Sequence, residues 1–248
     1  MEVIYILWLR QLKKYFRSRS RMIGSLAQPL LFLISLGFGF GPVFQRAGNG
    51  NYLEFLAPGI ISMSVLFTAL FSGIEIIWDR QFGFLKETLV APISRLEIMI
   101  GRTLGGATVA TIQGIIVFFI SLLVGFRPVN WYSLPIALFF IFLIALLFTA
   151  LGTAIASMLE DMQGFQLIMN FLVMPLFFLS GALFPINNLP KLLLIITKID
   201  PLSYGVDALR ATLINQSYYP VSLDFSILLI LVVFLFIIGS YLFSKIEI

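Results

Sequence analysis

The sequence predicts an all-α integral membrane protein of six transmembrane helices, and three observations carry that prediction. Of 248 residues, 60% are hydrophobic and only 11% are charged. A water-soluble domain carries about 25% charged residues because its surface must face water, so lipid is part of the solvent here. Six stretches reach the ~20 apolar residues that a ~30 Å hydrocarbon core demands: 22–42, 55–78, 100–125, 134–156, 166–184 and 225–243. The lysines and arginines also fall unevenly between the alternate sides of those spans. Together these describe one bundle spanning 1–248.

The N-terminal 21 residues precede the first span and hold Arg10, Lys13, Lys14, Arg17, Arg19 and Arg21. At 100° per residue, Ile4, Trp8, Leu12, Tyr15 and Phe16 share one arc, and most of the cations share the other. That pattern predicts a helix lying at the lipid boundary with its cations toward anionic headgroups or a partner. A charge run that merely fixes topology is the alternative. The first apolar stretch exceeds the 7–15 residues of a cleaved signal and no A-x-A-like site follows it, so it is expected to be a retained anchor.

Topology follows from the cations. Loop 43–54 holds only Arg46, and 126–133 only Arg127; residues 79–102 hold Arg80, Lys86, Arg95 and Arg102. Segment 185–224 holds Lys191, Lys198 and Arg210, and the C-terminal tail holds Lys245. Both termini are therefore expected in the cytoplasm of a cell-membrane protein. Turns are marked by Gly48-Asn49-Gly50 and by Arg127-Pro128 with Asn130.

Within the spans, polar residues are few. Glu75 sits near the inner end of the second span, where it either snorkels to water or relays motion by pairing with Arg80 or Arg102. Gly101 and Gly105 form a G-x-x-x-G, which permits close helix contact, within one subunit or between two. Gln113, Gln166 and Asn170 either touch cargo or bond between helices. The pairs Phe118-Phe119, Phe139-Phe140 and Phe177-Phe178 either line a path or pack the core and face lipid.

Residues 79–98, DRQFGFLKETLVAPISRLEI, are too long for a plain connector of 2–8 residues. Phe84, Leu85, Leu89 and Val90 are spaced to form one face of a short helix ended by Ala91-Pro92. That face meets either a protein partner or lipid headgroups. The stretch resembles the cytoplasmic loop of the type-2 ATP-binding-cassette permeases. The match rests on Asp79-Arg80, Gly83, Ala91-Pro92-Ile93-Ser94-Arg95 and Gly101-Arg102. Phe84 stands where that family more often has threonine. The resemblance implies a coupling helix that docks on an ATPase subunit through Phe82, Gly83, Phe84, Leu85, Glu87, Leu89, Pro92 and Arg95.

Segment 185–215 carries an apolar core at 192–197, only ~9 Å long as a helix, and then Asp200-Pro201, a good helix start. Two external half-helices that dip in and return are expected, with Leu202, Val206, Leu209 and Leu213 on one face and Asp207 paired with Arg210 on the other. Ser180-Gly181-Ala182-Leu183-Phe184-Pro185, Leu189-Pro190 and Asp200-Pro201-Leu202-Ser203-Tyr204 through Arg210 are similar to the same family's external run. There Asp200 replaces the usual asparagine.

The resemblance implies a permease subunit of an exporter for an amphipathic drug, lipid or glycan-type substrate, working as a pair of copies with a separate ATPase. No G-x-x-x-x-G-K-[ST] loop occurs, so ATP and Mg belong on that partner and this chain is expected to bind no cofactor. There is no cysteine or histidine, which removes thiolate chemistry and the commonest metal ligand and general base. An enzyme reading is thereby weakened, and nucleic acid is disfavoured by where the cations sit. An ion-coupled carrier needs ionisable groups at the midplane, which the spans lack apart from their margins. That carrier and a membrane scaffold are the remaining alternatives.

Overall fold

In hydrocarbon each backbone N–H and C=O must be satisfied within the segment, and runs of Leu, Ile, Phe and Ala do this as helices. The computed structural model describes residues 2–46, 50–90, 93–186 and 190–245, without the side chains of Arg21, Lys86, Leu89 and Val90. Gly48, Asn49, Ala91, Pro92 and Leu189, all assigned to turns or motifs above, lie outside the described residues. No strand occurs among the described residues.

The helices are α1 (Glu2–Arg17), α2 (Arg19–Arg46), α3 (Tyr52–Phe71), α4 (Ile74–Gln81), α5 (Phe84–Val90), α6 (Arg95–Val124), α7 (Leu134–Met158), α8 (Met162–Leu179), α9 (Lys191–Ile199), α10 (Pro201–Ile214) and α11 (Val221–Ser244). Six stretches are long and apolar enough to cross a membrane: Met22–Arg46, Tyr52–Gln81, Arg95–Val124, Trp131–Met158, Met162–Leu179 and Val221–Ser244. The chain is an all-α integral membrane protein. The third span begins at Arg95, inside the stretch read as loop, because Ser94 and Glu97 form a capping box there. The fifth span, α8, ends at Leu179, and Gly181 then takes a positive φ of 75°.

The core is α3, buried along most of its length between α6 and α7. Helix α2 leans on α3, α11 on α7, and α8 makes lighter contact with α3, α4, α9 and α10. The phenylalanine pairs divide as adjacent helical residues must: Phe118, Phe140 and Phe177 are buried, while Phe119, Phe139 and Phe178 face outward.

The second span is not one uninterrupted α-helix. At Ser72-Gly73 the ladder tightens, with the Gly73 N–H donating to the Leu70 carbonyl and the Glu75 N–H to the Ser72 carbonyl. Here α7 presses close: a Cβ on Gly152 would stand 2.4 Å from the Leu70 carbonyl oxygen, and one on Gly73 2.4 Å from that of Gly152. Two glycines therefore permit the closest helix contact in this part of the core.

At the end away from α1, α10 is held by its polar residues. Asp207 accepts the backbone N–H groups of Tyr218 (2.8 Å) and Tyr219 (2.7 Å). Arg210 donates to the carbonyls of Ala182 (2.8 Å) and Phe55 (3.3 Å), its guanidinium 3.7 Å from the Phe55 ring centroid. The expected Asp207–Arg210 pair is thus replaced by backbone partners, which pin α10 to the α10–α11 turn, α3 and the α8–α9 turn.

Asp200 caps α10, accepting the Leu202 N–H at 2.9 Å, and Pro201 follows at the first helical position. Its other carboxyl oxygen is buried without a hydrogen-bond partner among the described residues. Burial pushes this carboxyl up to about 8, against the bond from Leu202 that lowers it. The folded pKa lies above the unfolded one, so the native state holds a proton that the unfolded chain releases. Stability then falls as pH rises from about 4 to about 8 and levels off beyond. Asp200→Asn, which keeps the cap without the proton, is expected to be progressively more stable than wild type over pH 5 to 8. Parallel thermal unfolding curves for the two across that range would rule this out.

Candidate functional site at the charged end

Helix α1 does not simply rest on lipid. It buries Leu7, Gln11 and Tyr15 against α6, because Gly101 and Gly105 leave it room. A Cβ at Gly101 would lie 3.0 Å from the Ile4 carbonyl oxygen, and one at Gly105 2.7 Å from Gln11 Cβ. Trp8 Nε1 donates to Thr108 Oγ1 at 3.0 Å, and Tyr15 donates its hydroxyl proton to Gln113 Oε1 at 2.6 Å. The G-x-x-x-G therefore seats a helix of its own subunit.

This docking brings Arg10 and Lys14 over two carboxylates of α4. Arg10 grips Asp79 with both terminal nitrogens, at 2.7 and 2.8 Å. From the other side Arg102 of α6 reaches Asp79 at 2.6 Å, and Lys14 stands 3.5 Å from it. Lys14 also lies 3.4 Å from Glu75. Glu75 thus pairs with Lys14, and Arg102 with Asp79, in place of the expected Glu75 pairing with Arg80 or Arg102. Arg80 meets Glu160 at 3.0 Å, tying α4 to the α7–α8 turn. Asp79 is the hub that the sequence reading passed over. Its signal was there: Glu75 and Asp79 are four apart and so share one face of a helix.

The network continues into α5. Gly83, at φ 79°, turns the chain between α4 and α5. The guanidinium of Arg10 lies 3.8 Å from the Phe84 ring centroid. Leu85 points inward and is buried, whereas Phe82 is 81% exposed and Glu87 is also outward. Arg95 donates to the Ser244 carbonyl at the end of α11. The side chain of Leu89, and Pro92 altogether, lie outside the described residues. A continuous chain of contacts runs Phe84–Arg10–Asp79–Arg102, joining α5 to α1, α4 and α6.

The polar residues assigned to a possible path separate. Gln113 is fully buried and bonds α6 to α1, with its Nε2 left without a partner among the described residues. Gln166 and Asn170 share the outward face of α8 with Leu167 and Phe171. No group of three or more His, Cys, Asp or Glu residues able to hold a metal occurs among the described residues.

The comparisons with known proteins agree with this architecture. Residues 2–214 match the model of the ABC-2 type transporter family. The chain is 30% identical to the putative transport permease ycf38 of Cyanophora paradoxa over 264 residues, covering 99% of this chain and 89% of that one. It is 32% identical to the Porphyra purpurea protein of the same name, over 93% of this chain and 84% of that one. To nodulation protein J of Rhizobium leguminosarum bv. viciae it is 28% identical, over 90% and 86%. With a family model matching from α1 to the end of α10, this chain belongs to the ABC-2 type transporter family and is a membrane permease subunit.

Proposed function

We propose that this chain forms the membrane half of an ATP-driven exporter in the cell membrane, with both termini cytoplasmic. A separate ATP-binding-cassette subunit holds ATP and Mg and docks on the charged end, and a second copy completes the path. The observation that carries this reading is the contact chain Phe84–Arg10–Asp79–Arg102. A push on α5 reaches α1, α4 and α6 through one buried carboxylate, and through α4 it reaches the core helix α3. The exposed ring of Phe82, beside the outward Glu87, offers that partner an apolar anchor with a polar rim.

A second copy is supported by α8. Gln166 and Asn170 are amides on an outward face, and amides do not sit well against acyl chains. Facing a partner's helix or a water-filled path, they keep their hydrogen bonds. The cargo class that fits the apolar walls is an amphipathic drug, lipid or glycan-type molecule.

Phe82→Asp tests the docking. The side chain is exposed, so insertion and thermal unfolding are expected to stay as in wild type, while the ATPase subunit is lost from the purified complex. Recovery of the ATPase at wild-type yield with this variant would remove the docking role. Nucleotide-independent movement of solute in vesicles containing this chain alone would remove the ATP-driven reading altogether.

A further inference from the structure

A pocket of about 270 Å³ opens at the end of the bundle away from α1. Phe44 of α2 and Phe55 of α3 wall one side, and Pro185 and Ile186 of the α8–α9 turn another. Arg210 and Asp207 of α10 lie buried at its back, with Gln216, Ser217 and Tyr218 exposed at its rim. Phe55 is three residues into its span, ~4.5 Å at 1.5 Å per residue, and a bilayer's headgroup layer is ~5–8 Å deep. The pocket therefore stands at headgroup level. The rings of Phe44, Tyr52 and Phe55 cluster there, as aromatic belts do at membrane surfaces.

Three features make it a site for an anion. First, Arg210 is only 5% exposed, yet it makes no ion pair among the described residues. Its Nε and Nη2 donate to the carbonyls of Phe55 and Ala182, neutral acceptors both. Its Nη1 has no partner among the described residues and is not sealed off from the pocket. A guanidinium held out of water without a counter-charge is costly, so this free edge is built to be met from outside. Second, the neighbouring carboxylate is already engaged. Both oxygens of Asp207 accept backbone N–H groups of Tyr218 and Tyr219, at 2.7 to 3.0 Å. Burial pushes its carboxyl up, against those bonds and the pull of Arg210, which weakens its repulsion of an anion. Third, the rim offers more donors. The Gln216 amide and the Ser217 and Tyr218 hydroxyls line the pocket, and none of them bonds to a described residue.

The undescribed residues next to the pocket in sequence, 47–49 and 187–189, carry no ionisable side chain, so they supply no counter-charge either. A guanidinium edge, an amide and two hydroxyls exceed what the two oxygens of a carboxylate can take up. A phosphate ester carries four oxygens, and its bonds to arginine are among the strong ones. About 270 Å³ falls just short of the roughly 300–1,000 Å³ of drug-sized sites, which suits a head and not a whole amphiphile. Beside Phe44, α2 turns Phe40 and Val43 outward, giving acyl chains a wall to run down. We infer that this pocket clamps the phosphate of a membrane lipid in the leaflet away from α1. The lipid head then ties α10 to α2 and α3. This goes beyond the transport reading and holds whichever cargo the protein moves.

The test uses the full chain in dodecyl maltoside, an uncharged detergent without phosphate. Radiolabelled dihexanoyl phosphatidylglycerol is the probe, and empty micelles give the background. Saturable binding is expected. Dihexanoylglycerol, which lacks the phosphate, and glycerol phosphate, which lacks the chains, should each compete about tenfold more weakly or worse. Ser217→Glu brings a tethered carboxylate to Arg210. It is expected to cut probe binding about tenfold or more and to raise the thermal midpoint of the lipid-free protein, a gain that misfolding does not produce. Ser217→Gln, of equal size without the charge, is expected to bind within about threefold of wild type. The pair also separates this pocket from the cations of α1, which neither variant touches. Equal competition by glycerol phosphate overturns the lipid source, and equal competition by dihexanoylglycerol overturns the phosphate. Undiminished binding in Ser217→Glu, or equal loss in both variants, overturns the role of Arg210. Because no ATPase is present, failure of the docking test at Phe82 leaves this result intact, and the reverse holds too.

Discussion

Asp79→Ala is expected to destabilise the protein by about 3–5 kcal/mol, the range for breaking one partner out of a buried ion pair. Arg102 is nearly fully buried, and among the described residues its Nε and Nη1 have no hydrogen-bond partner and Asp79 is the one carboxylate that meets its charge directly. Removing the carboxylate strands that guanidinium, takes Arg10 off its carboxylate and leaves Lys14 with Glu75. With folded proteins stable by only about 5–15 kcal/mol, the loss should appear as a sharp drop in thermal midpoint and in folded yield. Asp79→Asn, which keeps an acceptor without the charge, should fall between. The double variant Asp79→Leu with Arg102→Leu should recover much of the loss, since replacing both partners by apolar groups is often neutral. A single Asp79→Ala variant within 0.5 kcal/mol of wild type would show that the hub is not what holds α1 to α4.

Gly152→Val should be comparably severe, at the upper end of the 1–3 kcal/mol usual for overpacking. The new Cβ would stand 2.4 Å from the Leu70 carbonyl oxygen. A backbone atom cannot step aside as the tip of a side chain can. To make room α7 must part from the tightened turn at Ser72-Gly73. Gly39 is the contrast. Nothing lies within 4 Å of a Cβ placed there, so Gly39→Ala should be neutral or stabilising by up to about 1 kcal/mol. Comparing the two by thermal unfolding separates crowding from helix propensity. Equal behaviour would mean that the α3–α7 contact is looser than its geometry.

Much of this was legible in the chain. The spans were, because lipid leaves no choice but ~20 apolar residues wound into a helix. Asp200-Pro201 announced α10 through capping chemistry that is local, and the cap forms as expected. What hydropathy does not distinguish is lipid from protein as the neighbour of an apolar face. Ile4, Trp8, Leu12, Tyr15 and Phe16 read as the lipid-facing arc of α1, yet the bundle buries Tyr15 from that arc together with Leu7 and Gln11. Phe16 remains outside. Partner choice was equally hidden. Glu75 had Arg80 and Arg102 nearby in sequence, but Lys14, 61 residues away, is a cation that meets it. Long-range pairs depend on where α1 lands, and that is set by two glycines on α6 that the sequence left open to either of two roles. The start of α6 was readable and missed: Ser94 with Glu97 three residues on is a capping box.

The outward amides of α8 have a thermodynamic consequence. Gln166 and Asn170 make a solitary subunit a poorer solute of hydrocarbon than its composition suggests. A membrane that holds unaccompanied copies carries an excess free energy for each of them, and any contact shielding those amides lowers it. The fraction of copies in the shielded form then follows mass action. In the two-copy assembly proposed above, abundance in the bilayer, as much as the strength of any one contact, would govern how durable the protein is.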